Sequence, residues 1–117
     1  MLVPITVVET PAFVRDSAAA LTEQERSDLV SYLAVNPEAG DIMPGTGGAR
    51  KLRCRAQGRG TRGGARVIYY YHDPSLPVFL LNVFAKNEKA NLTRAEQNEI
   101  KGLLPRLISG YRKRMAK

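Results

Sequence analysis

Two spacings of apolar residues divide the 117-residue chain. Residues 3 to 8, VPITVV, are rich in β-branched side chains and predict a short strand, with Pro4 favouring an edge or first-residue position. Pro11 opens a helical stretch running through Ala20, because proline is tolerated in a first turn. Thr22 and Glu25 then form a capping box, and Leu29, Val30 and Leu33 fall on one face of a helix predicted over 23–35. Asn36-Pro37 ends it, and residues 36–48 read as a turn-rich connection.

Three strand candidates follow, at 49–56, 65–72 and 77–86, with the Gly-rich loop GRGTRGG and the turn DPSLP between them. Thr93 and Glu96 make a second capping box. Ile100, Leu103, Leu104, Leu107, Ile108 and Tyr111 continue at helical spacing, with Pro105 predicted to kink or interrupt that helix. The order β-α-α-β-β-β-α predicts an α+β fold: an antiparallel twisted sheet packed by two N-terminal helices and a C-terminal one. The length fits a single domain over 1–117, with a solvated basic tail over about 110–117.

Charge changes this picture. Residues 1–48 hold two basic and seven acidic side chains, whereas residues 49–117 hold sixteen basic and four acidic, so nets of −5 and +12 make up the chain's +7. Seven basic residues and no acidic one lie between Arg50 and Arg66. Like charges so concentrated ahead of a strand point to an anionic partner, and a nucleic acid backbone is the first candidate. Nothing approaches the roughly 20 apolar residues of a membrane span, and the N-terminus lacks a secretory layout, so a cytoplasmic protein without a membrane partner is expected. The lone Cys54 has no Cys or His at metal-ligand spacing; no metal and no cofactor is expected, and Cys54 reads as a small buried hydrophobe.

Strand alternation sorts the cations. Lys51, Arg53 and Arg55 share one face, opposite Leu52, Cys54 and Ala56; Arg50 falls on the apolar side. In the next strand Arg66, Ile68, Tyr70 and His72 share a face, opposite Val67, Tyr69 and Tyr71. In the third, Asn82, Phe84 and Lys86 oppose Leu81, Val83 and Ala85. If helices cover the Leu52/Val67/Val83 side, the other side is an open groove in which Lys51, Arg53, Arg66 and Lys86 surround Tyr70, His72 and Phe84. Cations holding phosphates beside rings stacking on bases suit single-stranded RNA or DNA. Arg59 and Arg62, on the Gly-rich loop, are placed to reach further phosphates. Tyr69 and Tyr71 read as core, and Tyr70 divides evenly between packing and stacking.

The stretches LTEQERSDLVSYLAVNPEAGDIMPGTGGARKLR, GRGTRGGARVIYYYH and VFLLNVFAKNEKANLTRAEQ resemble the RelE/HigB family of bacterial toxins, in particular a HigB-like branch with PGTGG-RKLR and GG-RVIYY signatures. The resemblance runs over about residues 20–100. It implies a RelE-like fold and an endoribonuclease that cleaves mRNA, usually in the ribosomal A site, restrained by an antitoxin with a helix-turn-helix DNA-binding domain. The implied chemistry is metal-free: the 2′-hydroxyl attacks the adjacent phosphate. By position in the motifs, Lys51 and Arg53 resemble the family's basic pair, and Arg66 resembles the arginine that contacts the scissile phosphate. Lys51 acts as a base only if cationic neighbours lower its pKa; otherwise it stabilises charge with Arg53.

Two departures stand out. Where some members have an arginine after the third of these strands, this chain reads AKNEK, so Lys86 or Lys89 must substitute; a tyrosine shortly afterwards is replaced by Asn91-Leu92-Thr93. These gaps leave the leaving-group acid open, with His72 one candidate. They also keep open a non-catalytic RNA- or ribosome-binding protein of the same fold and, as a third reading, a toxin with another target, such as the DNA gyrase poisoned by ParE relatives.

Overall fold

The computed structural model describes residues 4–56, 64–85 and 92–116. Along the chain they form β1 (Val7–Glu9), α1 (Pro11–Ala20), α2 (Glu23–Val35), β2 (Asp41–Ile42), β3 (Arg50–Cys54), β4 (Ala65–Tyr70), β5 (Val78–Ala85) and α3 (Arg94–Met115). Both predicted capping boxes are present. Thr22 Oγ1 accepts from the Glu25 amide at 3.1 Å while Glu25 accepts from the Thr22 amide at 2.9 Å, and Thr93 and Glu96 repeat the exchange at 3.1 and 2.8 Å. Such a cap contributes about 1 kcal/mol. Thr10 caps α1 and also donates from its hydroxyl to the Leu80 carbonyl at 2.8 Å, tying that helix to β5.

The strands form one α+β sheet in the order β1-β5-β4-β3-β2. β2–β3, β3–β4 and β4–β5 are antiparallel, as expected, but β1 runs parallel to β5, which makes the sheet mixed. The reason is topological: α1 and α2 carry the chain away from β1, and the three hairpin-like steps from β2 to β5 return a strand of the same direction to its side. The connection over 36–48 also differs from its reading as turns alone, since Asp41 and Ile42 pair with Lys51 and Arg50.

Helices cover both faces. Phe13, Leu29 and Leu33 of α1 and α2 pack on Val67, Tyr69, Leu80 and Val83. Ile100 and Leu104 of α3 pack on Ile68, Tyr70, Phe79, Leu81 and Phe84. The expectation of one fully open sheet face is thereby corrected: Tyr70 and Phe84 are buried beneath α3. A β-bulge contributes to this. Ile68 pairs with Asn82 but Tyr69 pairs with Leu80, so Leu81 has no partner opposite it and turns to the α3 face instead of sharing the Val83 face. α3 runs unbroken through Pro105, which lies on the exposed side of the helix, away from the packed face of Ile100 and Leu104.

Candidate nucleic-acid interface

The turn leading into β3 fixes where its cations point. Gly47 and Gly48 take φ of 80° and 113°, a region that side chains disfavour, and between Gly45 and Gly47 sits the fully buried Thr46. Its hydroxyl donates to the Met43 carbonyl at 2.7 Å and accepts from the Ala49 amide at 3.0 Å. Tyr69 pins the preceding loop: its hydroxyl accepts from the Gly40 amide at 2.7 Å and donates to the Pro37 carbonyl at 2.9 Å. Arg50, which alternation set on the apolar side, donates to the carbonyls of Glu38 and Gly40 and belongs to this latch. Thr46 and Tyr69 were not singled out in the sequence as positioning residues; a threonine enclosed by glycines that need positive φ was the available signal for the first.

With that register set, Arg53 stands directly opposite Arg66, Lys51 opposite Ile68, and Arg66 opposite Phe84 on its other side. Directly opposed residues on one sheet face have Cβ atoms about 4.5–5.5 Å apart. Arg53 is exposed and Lys51 half-buried, whereas Arg66 is only 6% exposed. The Nη1 of Arg66 is buried with no hydrogen-bonding partner among the described residues. Neither Arg53 nor Arg66 joins any ion pair formed among those residues. A buried guanidinium nitrogen with no acceptor costs free energy that an incoming anion would recover. Arg55 continues past the end of β3, exposed and on the same end of the sheet.

The remaining predicted site residues divide three ways. Tyr70 and Phe84 are packed in the α3-side core; burial raises the Tyr70 phenol pKa, and its ring stacks on His72 with centroids 6.2 Å apart. His72 is exposed beyond the far end of β4 and lies 3.6 Å from Asp73. It lies six positions along the chain from Arg66, about 20 Å at roughly 3.3 Å per residue of extended backbone, so the two do not share a site. Arg59, Arg62, Lys86 and Lys89 lie outside the described residues. Cys54 points to the opposite, helix-covered face, and burial, followed by the Glu25 carboxylate, pushes its thiol to about 11, so it is protonated at neutral pH.

No described group of His, Cys, Asp and Glu could hold a metal ion, and no described helix is long and apolar enough to cross a membrane. The chemistry on offer is a paired cationic centre at the end of the sheet where β3 finishes and β4 begins. The family model for the RelE toxin of the RelE/RelB toxin–antitoxin system matches residues 17–117, which include every element from α2 to α3 and all of this centre. The chain belongs to the RelE toxin family of toxin–antitoxin systems.

Proposed function

We propose that this toxin is a ribosome-dependent endoribonuclease that cleaves mRNA at a phosphate held between Arg53 and Arg66. The observation that carries the reading is the opposed guanidinium pair whose buried member has an Nη1 without a hydrogen-bonding partner among the described residues. In the reaction the 2′-oxygen loses its proton to a base and bonds to phosphorus. The bond to the 5′-oxygen breaks, that oxygen takes a proton, and a cyclic phosphate remains. Negative charge grows on the non-bridging oxygens as the new bond forms, so cations already desolvated and fixed in place lower the barrier most. Arg66, held by β4 between two neighbouring strands, is the fixed one. Arg53 is the approachable one, and Lys51 lies one pair further along the same face as base or second stabiliser. Arg55, Arg59, Arg62, Lys86 and Lys89 supply the wider phosphate track, and a cognate antitoxin with a DNA-binding domain restrains the toxin in the cytoplasm.

The test is expression of the wild type and of Arg66→Met without antitoxin, with message ends mapped by primer extension. New 5′ ends in the wild type alone are the expected result. Growth arrest without new ends in either strain would defeat the nuclease reading. A second reading, RNA or ribosome binding without cleavage, is favoured by the place of His72, which removes the one acid the sequence had offered near the cations. It predicts ribosome binding by the wild type with message left intact.

A further inference from the structure

β1 pairs only with Val78, Phe79 and Leu80, so from Leu81 onward the outer edge of β5 meets α1 instead of a strand. Thr10 donates to the Leu80 and Leu81 carbonyls at 2.8 and 3.3 Å, and Asp16 Oδ2 accepts from the Val83 amide at 3.5 Å. Between this α1 edging and α3 a cleft remains. Its deeper part is a cavity of about 260 Å³, room for one planar base, with apolar walls of Val83, Phe84, Leu92 and Ile100 that are each at most 8% exposed. Asp16, Asn82, Glu96 and Glu99 supply its polar lining.

Asn82, Glu99 and Ile100 also line the adjoining part of the cleft, which widens over Leu81, Leu103 and Leu107. There Arg15 of α1 and Arg106 of α3 contribute two exposed guanidiniums. Acidic and basic groups thus occupy opposite ends of one cleft without neutralising each other: no ion pair among the described residues includes Arg15 or Arg106. The carboxylates do not gather into a metal site either. Asn82 Nδ2 donates to Asp16 Oδ2 at 3.2 Å, which fixes that carboxylate at the cavity wall and leaves it further acceptor capacity.

We propose that the cleft between α1 and α3 binds one guanosine nucleotide, with the base in the acidic cavity and the phosphate at Arg15 and Arg106. Guanine alone of the four RNA bases presents two adjacent N–H donors, at N1 and the 2-amino group, to the two oxygens of one carboxylate. Adenine and cytosine set an unprotonated ring nitrogen beside their amino group, and its lone pair meets those of the carboxylate. Uracil flanks its single N–H with two carbonyls. Asp16 is the carboxylate that accepts both donors, since Glu96 already serves the Thr93 amide. Glu99 stands where the two parts of the cleft meet and accepts from the ribose hydroxyls. The arginines bind the phosphate oxygens. Two sources offer this chemistry: a guanosine of the RNA strand held at Arg66, which lies directly across from Phe84, and a free nucleotide. The first source rests on the nuclease reading; the site itself does not.

The probes are GMP, AMP, CMP, UMP and guanosine, titrated by NMR into the isotope-labelled full chain. GMP is expected to bind about tenfold more tightly than the other nucleotides, the discrimination of one bidentate base contact, and to shift the Asn82 side-chain amide. Asp16→Asn, which turns one acceptor oxygen into a donor, should erase the preference for GMP over AMP. Arg15→Gln with Arg106→Gln, at two exposed positions where the fold should survive, should weaken GMP about tenfold and leave guanosine unchanged. Arg66→Met should bind GMP as the wild type does, and circular dichroism checks each fold. Absence of GMP binding, equal binding of the four nucleotides, a GMP preference that survives Asp16→Asn, or GMP binding unchanged by the arginine pair would each overturn the proposal. So would loss of GMP binding in Arg66→Met, which would place the nucleotide at the cationic centre. A short single-stranded RNA with one guanosine, compared with its adenosine counterpart, separates the sources. A guanosine preference that Asp16→Asn removes identifies the RNA strand, and indifference beside selective GMP binding identifies the free nucleotide. If the wild type fails to cleave programmed ribosomes, the nuclease reading falls while the GMP result stands.

Discussion

Arg53 and Arg66 sit directly across from each other on adjacent antiparallel strands, one exposed and one buried, with no acidic side chain paired to either among the described residues. Such an arrangement costs the free fold stability. The cost has a simple test in Arg66→Met, which keeps the length and apolar stem while removing the charge. The melting temperature should stay level or rise, since a buried group with an unsatisfied nitrogen is replaced by one that packs. Cleavage of programmed ribosomes should fall by about 10²–10³-fold, the usual loss of one fixed electrostatic stabiliser. A large drop in melting temperature would instead mark Arg66 as a structural residue.

Arg53→Ala separates affinity from fold. The side chain is exposed, so unfolding in urea should change by no more than about 0.5 kcal/mol. Binding of a single-stranded RNA should weaken, and the slope of log affinity against log salt should become shallower by about 0.7, the contribution of one phosphate contact on a single strand. An unchanged slope would remove Arg53 from the interface.

Tyr69→Phe tests the latch behind β3. The hydroxyl satisfies a buried Gly40 amide and the Pro37 carbonyl, and phenylalanine leaves that amide without its acceptor. Destabilisation of about 1–3 kcal/mol is expected, read from the urea midpoint at constant slope. Gly40→Ala should be at least as damaging. Its added methyl would stand 2.8 Å from the Lys51 carbonyl and 2.9 Å from the Tyr69 ring, where backbone and a fully buried side chain must both give way.

Alkaline conditions should weaken the fold through Cys54. Burial raises its pKa to about 11 in the folded chain, above the ordinary 9.0, so the native state holds its proton where the unfolded chain has lost it. The stability from the neutral buried thiol is therefore complete below about pH 9 and declines as pH rises towards 11. Cys54→Ala should flatten that part of the stability profile, measured by thermal unfolding from pH 8 to 11. The flattening is partial, because burial also raises the Tyr69 and Tyr70 phenols and these act in the same direction.

Local structure is legible in this sequence, and relations between distant segments are less so. Thr22/Glu25 and Thr93/Glu96 announce helix starts because the capping exchange is complete within four residues. The apolar spacing from Ile100 to Tyr111 likewise states that α3 has one packing face, but not which sheet face receives it. That choice buried Tyr70 and Phe84, which an open groove would have offered to bases. Leu81 changed sides because the bulge at Ile68/Tyr69 depends on two strands at once, and a period of two within either strand is silent about it. The Arg53/Arg66 opposition was legible in part: alternation put both on one face, while their direct pairing required the β3–β4 register.

Pro105 is the clearest conflict between local preference and the final structure. Proline in a helix interior removes a backbone donor and costs about 3 kcal/mol relative to alanine, yet α3 continues through it for ten further residues, to Met115. Its exposed position limits the damage, and Leu104 and Leu107 on either side keep their places against the sheet. Pro105→Ala restores the missing donor to the Lys101 carbonyl and disturbs no buried contact. It should stabilise the protein by about 1–3 kcal/mol and slow amide exchange on both sides of the substitution. The unfolded chain gains freedom when proline is removed, which is why the lower part of that range is the expected value. A loss of stability would mean that Pro105 supports α3 from outside the helix, through a contact that the exposed ring does not reveal.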